Sequence, residues 1–293
     1  MQILSNILAD IKGLKDISQL RIDDLHVCSP FAAVQLSDGS IGSAGNYAVQ
    51  NHTAGYQPAR IREEYLESIE KDPLLLDTLC DDRSLVGLSV QVAILSALSQ
   101  SLLNATVLRA FALSCKPVVA QREAIAGVLK SGDSVSLIGF GGGLDALCTS
   151  DRVDHLYVCD FMFQQHEYRE IAWRRIKRLG GDQSRVTLVD GVCSGEVVAL
   201  SDICFITGSA LCNGTMEALL SQARKCREVV IQGPSCSLWP MEFFRCSVTL
   251  VLTTRKTVAE FEAGKLPGDG IYNFSDLSYL AISPTGKHHR TAN

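Results

Sequence analysis

A chain of 293 residues, 46% apolar and 20% charged, has room for two globular domains with separate cores. A formal net charge of −5 with no basic stripe argues against nucleic acid as a partner. Eleven cysteines, an odd number with no C-x-x-C pair, argue against a disulfide scaffold.

The opening MQILSNILADIKGLK lacks the basic start, long apolar stretch and cleavage site of a secretory signal, so a cytoplasmic location with free thiols is expected. Ile3, Leu4, Ile7, Leu8, Ile11 and Leu14 recur at helical spacing and predict a helix within residues 1–20. Two strands are expected next, over 25–36 and 43–50. Ser37-Asp38-Gly39-Ser40 joins them as a hairpin turn. Residues 60–80 read as helical, with Pro73 opening a new turn. From Leu85 to Leu108 no residue is charged, a length that would cross a bilayer. Its serines, glutamines, Asn104 and Thr106 instead predict a helix buried between protein layers, from about 84 to 103.

Pro117 and a change of composition over 105–117 mark a boundary. The expected division is an α+β domain over 1–112 and a Rossmann-like domain over 113–293. Beyond it, a helix (VVAQREAIAGVLKSG) leads into strands expected at 134–139, 155–160, 185–190, 202–207 and 228–233, and a further apolar run at 248–254. Strands alternating with helices predict an α/β fold, a mostly parallel sheet covered on both faces. The basic cluster Arg169, Arg174, Arg175, Lys177 and Arg178 is mixed with acids and reads as the solvated face of a helix. Cys159 and Cys204 lie in apolar runs and read as small buried hydrophobes. KHHRTAN at the end reads as a frayed tail.

The most informative segment follows the first of these strands. Gly139, Gly141, Gly142 and Gly143 let the chain turn sharply and let a ligand approach the backbone. Asp160 ends the second strand and Asp190 the third. A carboxylate at a second strand's end accepts hydrogen bonds from ribose hydroxyls. The dinucleotide frame G-x-G-x-x-G fails at Leu144, and the frame from Gly141 starts late. The G-x-G-x-G spacing of Gly139, Gly141 and Gly143 resembles the first motif of S-adenosylmethionine-dependent methyltransferases. In that family the second-strand acid holds the ribose and a third-strand acid lies by the adenine, which implies those roles for Asp160 and Asp190.

A second resemblance covers most of the chain. Ile206-Thr207-Gly208-Ser209-Ala210-Leu211, Asn213-Gly214-Thr215 and Gly233-Pro234-Ser235 are similar to the pattern of the family named for a heavy-metal chelation domain. It implies an enolase-like amino-terminal domain and a Rossmann-like second domain. The residues themselves give no metal site: no pair of the six histidines has helical i, i+4 spacing. Thr207, Ser209, Asn213 and Thr215 follow the fourth strand, on the edge where open α/β sheets bind ligands. Thr215 is also placed to cap the helix that starts at Met216.

The expected protein is a small-molecule enzyme that binds S-adenosylmethionine or a similar nucleoside, for group transfer or a rearrangement of the cofactor. Gly139, Gly141, Gly142, Gly143, Asp160, Asp190 and Thr207 would hold the cofactor. Ser209 and Asn213 would face the reacting group, and Asn46, Tyr47 or His52 would cover the cleft. Asp160 is expected to matter for affinity and little for stability; the alternative makes it a turn residue that caps the segment starting at Phe161, with its loss lowering the melting temperature. The alternatives are a non-catalytic metal or metal-chelate binding protein and an NAD-binding oxidoreductase. The expected partner is a small-molecule substrate, with no nucleic acid and no membrane; a homodimer is compatible with the sequence.

Overall fold

A computed structural model describes residues 2–27, 31–46, 84–118, 121–255 and 278–286. The helix read over 60–80, Tyr47, His52 and the KHHRTAN tail lie outside the described residues.

The chain begins with α1 (Gln2–Leu14), which buries Ile3, Leu4, Ile7, Leu8 and Ile11 along one face. An antiparallel three-stranded sheet follows: β1 (Ile22–Val27), β2 (Phe31–Leu36) and β3 (Ile41–Gly45). The run 25–36 is therefore two strands, not one. Val27, at the end of β1, pairs back with Ala32 of β2. The sequence between them contains Pro30, a residue type that cannot donate to a ladder. The turn at Ser37–Ser40 joins β2 to β3 as expected, with Gly39 at φ +77°.

Helix α2 (Leu85–Gln100) is the uncharged segment. It is apolar or small all round and is buried from Gly87 through Ser99. Its hydroxyls turn inward on the helix: Ser89 and Ser99 donate to the carbonyls of Leu85 and Leu95, each at 2.7 Å. It packs on β2 and β3 so closely that a Cβ on Gly42 would overlap the Ala93 carbonyl oxygen. No described helix is long and apolar enough to cross a membrane.

After α3 (Ala105–Ala110) the chain enters the large sheet through β4 (Leu113–Val118). Then come α4 (Gln121–Val128), β5 (Asp133–Ile138), α5 (Leu144–Cys148), β6 (Val153–Asp160), α6 (His166–Arg178), β7 (Val186–Asp190) and α7 (Ser194–Ala199). The rest is β8 (Ile203–Thr207), α8 (Met216–Gln222), β9 (Glu228–Gln232), α9 (Met241–Arg245), β10 (Leu250–Arg255) and β11 (Ser278–Pro284). The eight strands lie in the order β4-β11-β10-β9-β8-β5-β6-β7. Strands β5 to β10 are mutually parallel, while β11 is antiparallel to both β10 and β4. Pro117 thus sits in an edge strand, where a missing N–H is tolerated. The parallel part is an α/β, Rossmann-like sheet. Its order reverses between β5 and β8, and ligands of such sheets bind outside the carboxyl ends at that reversal.

Alternate residues of the central strands serve the two faces. Val135, Leu137, Ile203, Phe205 and Val230 pack with Ile125, Leu147, Ala172 and Ile176 of α4, α5 and α6. Ile138, Cys204, Ile206, Val229 and Ile231 pack on the other face with Val198 and Leu219 of α7 and α8. That second cluster runs without a break into Ile7, Val34, Ile94 and Leu98 of the first region.

Candidate functional site at the carboxyl edge

Gly139 leaves β5 at φ +98°, which an L-residue rarely adopts. Its N–H donates to the Cys159 carbonyl at 2.7 Å, and a Cβ there would lie 2.7 Å from Thr207 Cγ2. The glycine thus lets β5 and β8 close on each other at the reversal. Gly143, at φ +86°, starts α5 without a side-chain cap. The helix has only five residues. Gly141 differs from both, because no atom lies within 4 Å of its would-be Cβ. Loop shape depends on Gly139 and Gly143, whereas the space over Gly141 is open.

Two glutamines brace the loop. Gln232 Nε2 donates to the Gly142 carbonyl at 2.6 Å, and Gln121 Nε2 donates to Gln232 Oε1 at 2.6 Å. Gln232, at the end of β9, is buried. Phe140 points away from the loop. Its ring meets Phe163 edge-on at 5.5 Å, and the Arg175 guanidinium stands 5.3 Å over it. Arg169 reaches the carbonyls of Phe163 and Leu188. Two members of the basic cluster therefore support the loop region, and the remainder of the cluster is exposed as expected.

Asp160 and Asp190 are neighbours in register at the ends of β6 and β7. Asp160 Oδ2 accepts from Phe140 N–H at 2.7 Å and Oδ1 from Met162 N–H at 2.9 Å. The carboxylate ties the glycine loop to the turn at Phe161–Gln164 and caps that turn. The expectation that Asp160 matters little for stability gives way to its alternative, a cap on the segment from Phe161: both oxygens already serve the backbone. Asp190 caps the next turn, accepting from Val192 N–H at 3.0 Å and from Gln164 Nε2 at 3.4 Å.

Beside them lies a groove of about 480 Å³, bounded by Phe161, Gly191 and Val192 from these turns and by Glu196, Thr215 and Gln222 from around α7 and α8. No sequence pattern marks it, because its walls come from three separate segments.

The loop after β8 forms the other half of the edge. Thr207 lies against Gly139, and its Oγ1 accepts a long 3.4 Å bond from Ser209 N–H. Asn213 Oδ1 accepts from both the N–H and the hydroxyl of Thr215, at 3.1 and 2.7 Å. Thr215 consequently makes no side-chain cap on α8, contrary to the sequence reading. Ser209 stands against Gly45 at the end of β3, whose N–H donates to Ser235 Oγ at 2.8 Å. Asn46, the next residue, is fully buried. The small sheet thus ends on the loops that follow β8 and β9. Ser209 and Thr207 adjoin this seam and the glycine loop respectively, while Asn213 is turned onto Thr215.

Burial pushes the thiols of Cys159, Cys212 and Cys236 up to about 12, and that of Cys204 higher still. All four are buried, as the sequence predicts for Cys159 and Cys204. Among the described residues no three histidines, cysteines or carboxylates converge to hold a metal.

Comparison with known proteins places this scaffold. Residues 125–262 match the model of the family described as "Putative heavy-metal chelation". That segment is similar to the family. Two solved structures of the same family, both proteins of unknown function, are similar over nearly the whole chain. One, from Pyrococcus horikoshii, is 18% identical, with a TM-score of 0.62 over 96% of this chain and 99% of its own. The other, from Desulfitobacterium hafniense DCB-2, is 15% identical, with a TM-score of 0.62 over 96% of this chain and 98% of its own. At these identities the likeness is one of fold. A precorrin 8W decarboxylase from Methanobacterium thermoautotrophicum overlaps 55% of this chain and 88% of its own, at 17% identity and a TM-score of 0.31, too slight a likeness to bear on either fold or function. No curated protein matches the sequence.

Proposed function

We propose that the protein binds S-adenosylmethionine or a similar nucleoside at the carboxyl edge of β5, β6 and β7, and acts as a small-molecule enzyme of biosynthetic metabolism. One observation carries the reading. The open glycine at 141, Asp160 and Asp190 stand at the ends of three adjacent parallel strands, next to the reversal of strand order. Gly141 would admit the ligand's backbone-facing end. The unused lone pairs of Asp160 and Asp190 would take ribose and base donors, because each carboxylate oxygen can accept more than one bond. S-adenosylmethionine, when bound, supplies an activated sulfonium carbon. The chain's own residues then have to position the partner and exclude water. Ser209, at the seam of the two sheets, and Thr207, beside the glycine loop, would do that work.

The metal-chelation description of the family finds no donor set among the described residues: the well-buried thiols are held neutral, and no cluster converges. Calorimetric titration of S-adenosylmethionine, S-adenosylhomocysteine, NAD and divalent metals into purified protein tests the reading. Submillimolar binding of a nucleoside ligand, weakened about ten-fold or more by Asp190→Ala, is expected. Failure of wild type to bind any nucleoside at millimolar concentration, with tight stoichiometric metal instead, would overturn it.

A further inference from the structure

The groove beside Asp160 and Asp190 has a built wall. Phe161 is 40% exposed, yet it is held in place. Asp160 caps the turn that carries it, and its ring seats on Gly191, where a Cβ would lie 2.9 Å from Cγ and Cδ1 and 2.7 Å from the Phe161 nitrogen. Only glycine at 191 leaves room for the ring in this position. Val192, 66% exposed, adds a second apolar rim. Glu196 and Gln222 place polar groups on the opposite wall. Among the described residues no lysine, arginine or histidine lines the groove.

We infer that this groove receives the flat heteroaromatic end of a neutral or positively charged ligand, with Phe161 as its stacking platform, and that it discriminates against phosphorylated ligands. This rests on the reading that a nucleoside-type ligand lies along the same edge. An aromatic ring fixed at a groove wall offers a π-face to any planar ring, and more so to a cationic one. A phosphate brought here would meet the Glu196 carboxylate, with Asp190 next to the rim and no cation among the described lining residues to compensate. The inference separates an unphosphorylated or cationic nucleoside from NAD(P), which carries a pyrophosphate.

The test titrates adenosine, adenosine 5′-monophosphate and S-adenosylmethionine into wild type, Phe161→Leu, Phe161→Tyr and Glu196→Arg, with melting temperatures as a check on folding. Adenosine should bind wild type about ten-fold more tightly than its monophosphate. Phe161→Leu should lose about ten-fold in adenosine affinity and Phe161→Tyr should keep it. Glu196→Arg should narrow or reverse the preference against phosphate. If S-adenosylmethionine binds and responds to Asp190→Ala, but Phe161→Leu leaves every affinity unchanged, the groove assignment fails while the edge site stands. Tighter binding of the monophosphate by wild type overturns the charge argument. No nucleoside binding by wild type overturns both.

Discussion

Asp160 shows how one carboxylate takes on the capping work that its sequence position offered as the alternative to ligand binding. It accepts from two backbone N–H groups, one in the glycine loop and one in the following turn. Asp160→Ala leaves both donors without this partner, and each such loss costs about 1 kcal/mol or more. A fall of several degrees in melting temperature is expected, together with weaker ligand binding. Asp160→Asn keeps one acceptor and should lie between. A melting curve for alanine that superimposes on wild type would show that the loop does not depend on this carboxylate. The buried thiols make a second residue-level case. Burial raises Cys159, Cys212 and Cys236 from an ordinary value near 9 to about 12. A raised folded-state value adds stability that is complete below about pH 9 and is lost as pH climbs through the folded values. Thermal stability should therefore drop between about pH 9 and 12. Replacing the three cysteines with alanine should flatten that drop in melting scans. Equal slopes for both proteins would assign the alkaline loss to other groups.

At the scale of elements, the glycine loop separates folding from binding. Gly139→Ala demands a positive φ of an L-residue and a Cβ 2.7 Å from Thr207, so it should destabilise the protein by about 1–3 kcal/mol. Gly141→Ala meets no atom within 4 Å and should melt like wild type. If a ligand approaches the backbone there, Gly141→Ala weakens its binding with no change in fold. Unchanged affinity for a nucleoside that wild type binds would move the ligand off the loop. The elements themselves were legible wherever pattern and length agreed. The expected strands at 134–139, 155–160, 185–190, 202–207 and 228–233 match β5 to β9 within a residue or two at each end, because buried parallel strands read as apolar runs punctuated by turns. Strands β4 and β11 were not legible. They are edge and antiparallel additions, one carrying Lys116 and Pro117, and their pairing links residues far apart in sequence. The glycine loop and both aspartates announced themselves through spacing after strands. Gln121, Gln232 and Phe161 gave no comparable signal, since bracing and lining are matters of which distant segments meet.

For the whole molecule, the decisive feature is how the two regions join. The division near residue 112 follows a composition change, yet the buried cluster on one face of the large sheet continues into α1, β2 and α2. Polar ties reinforce it. Glu217 accepts from Ile3 N–H at 2.8 Å, Glu242 accepts from Asn6 at 2.7 Å, and Arg245 pairs with Asp10 at 2.8 Å. The N–H of Trp239 donates to Ser99 Oγ at 2.8 Å, within a buried seam. Surface pairs such as Arg245 with Asp10 add little, so the shared apolar surface carries the coupling. Two regions that share one core should unfold together. Calorimetry of the full chain is expected to show one cooperative transition, with the calorimetric and van't Hoff enthalpies equal. Gly42→Ala offers a directed test. It sits in the small sheet, and its Cβ would overlap the backbone of α2 at Ala93 and Ala97. The strain must be relieved by moving α2, which also packs beneath the turn at Pro234–Cys236 after β9. The variant should therefore lower the single melting temperature and increase hydrogen exchange in β8 and β9 as well as in β2 and β3. Protection lost only from the small sheet, or two resolved transitions in wild type, would mean that the regions fold separately and that the seam at Ser209 and Ser235 is free to open.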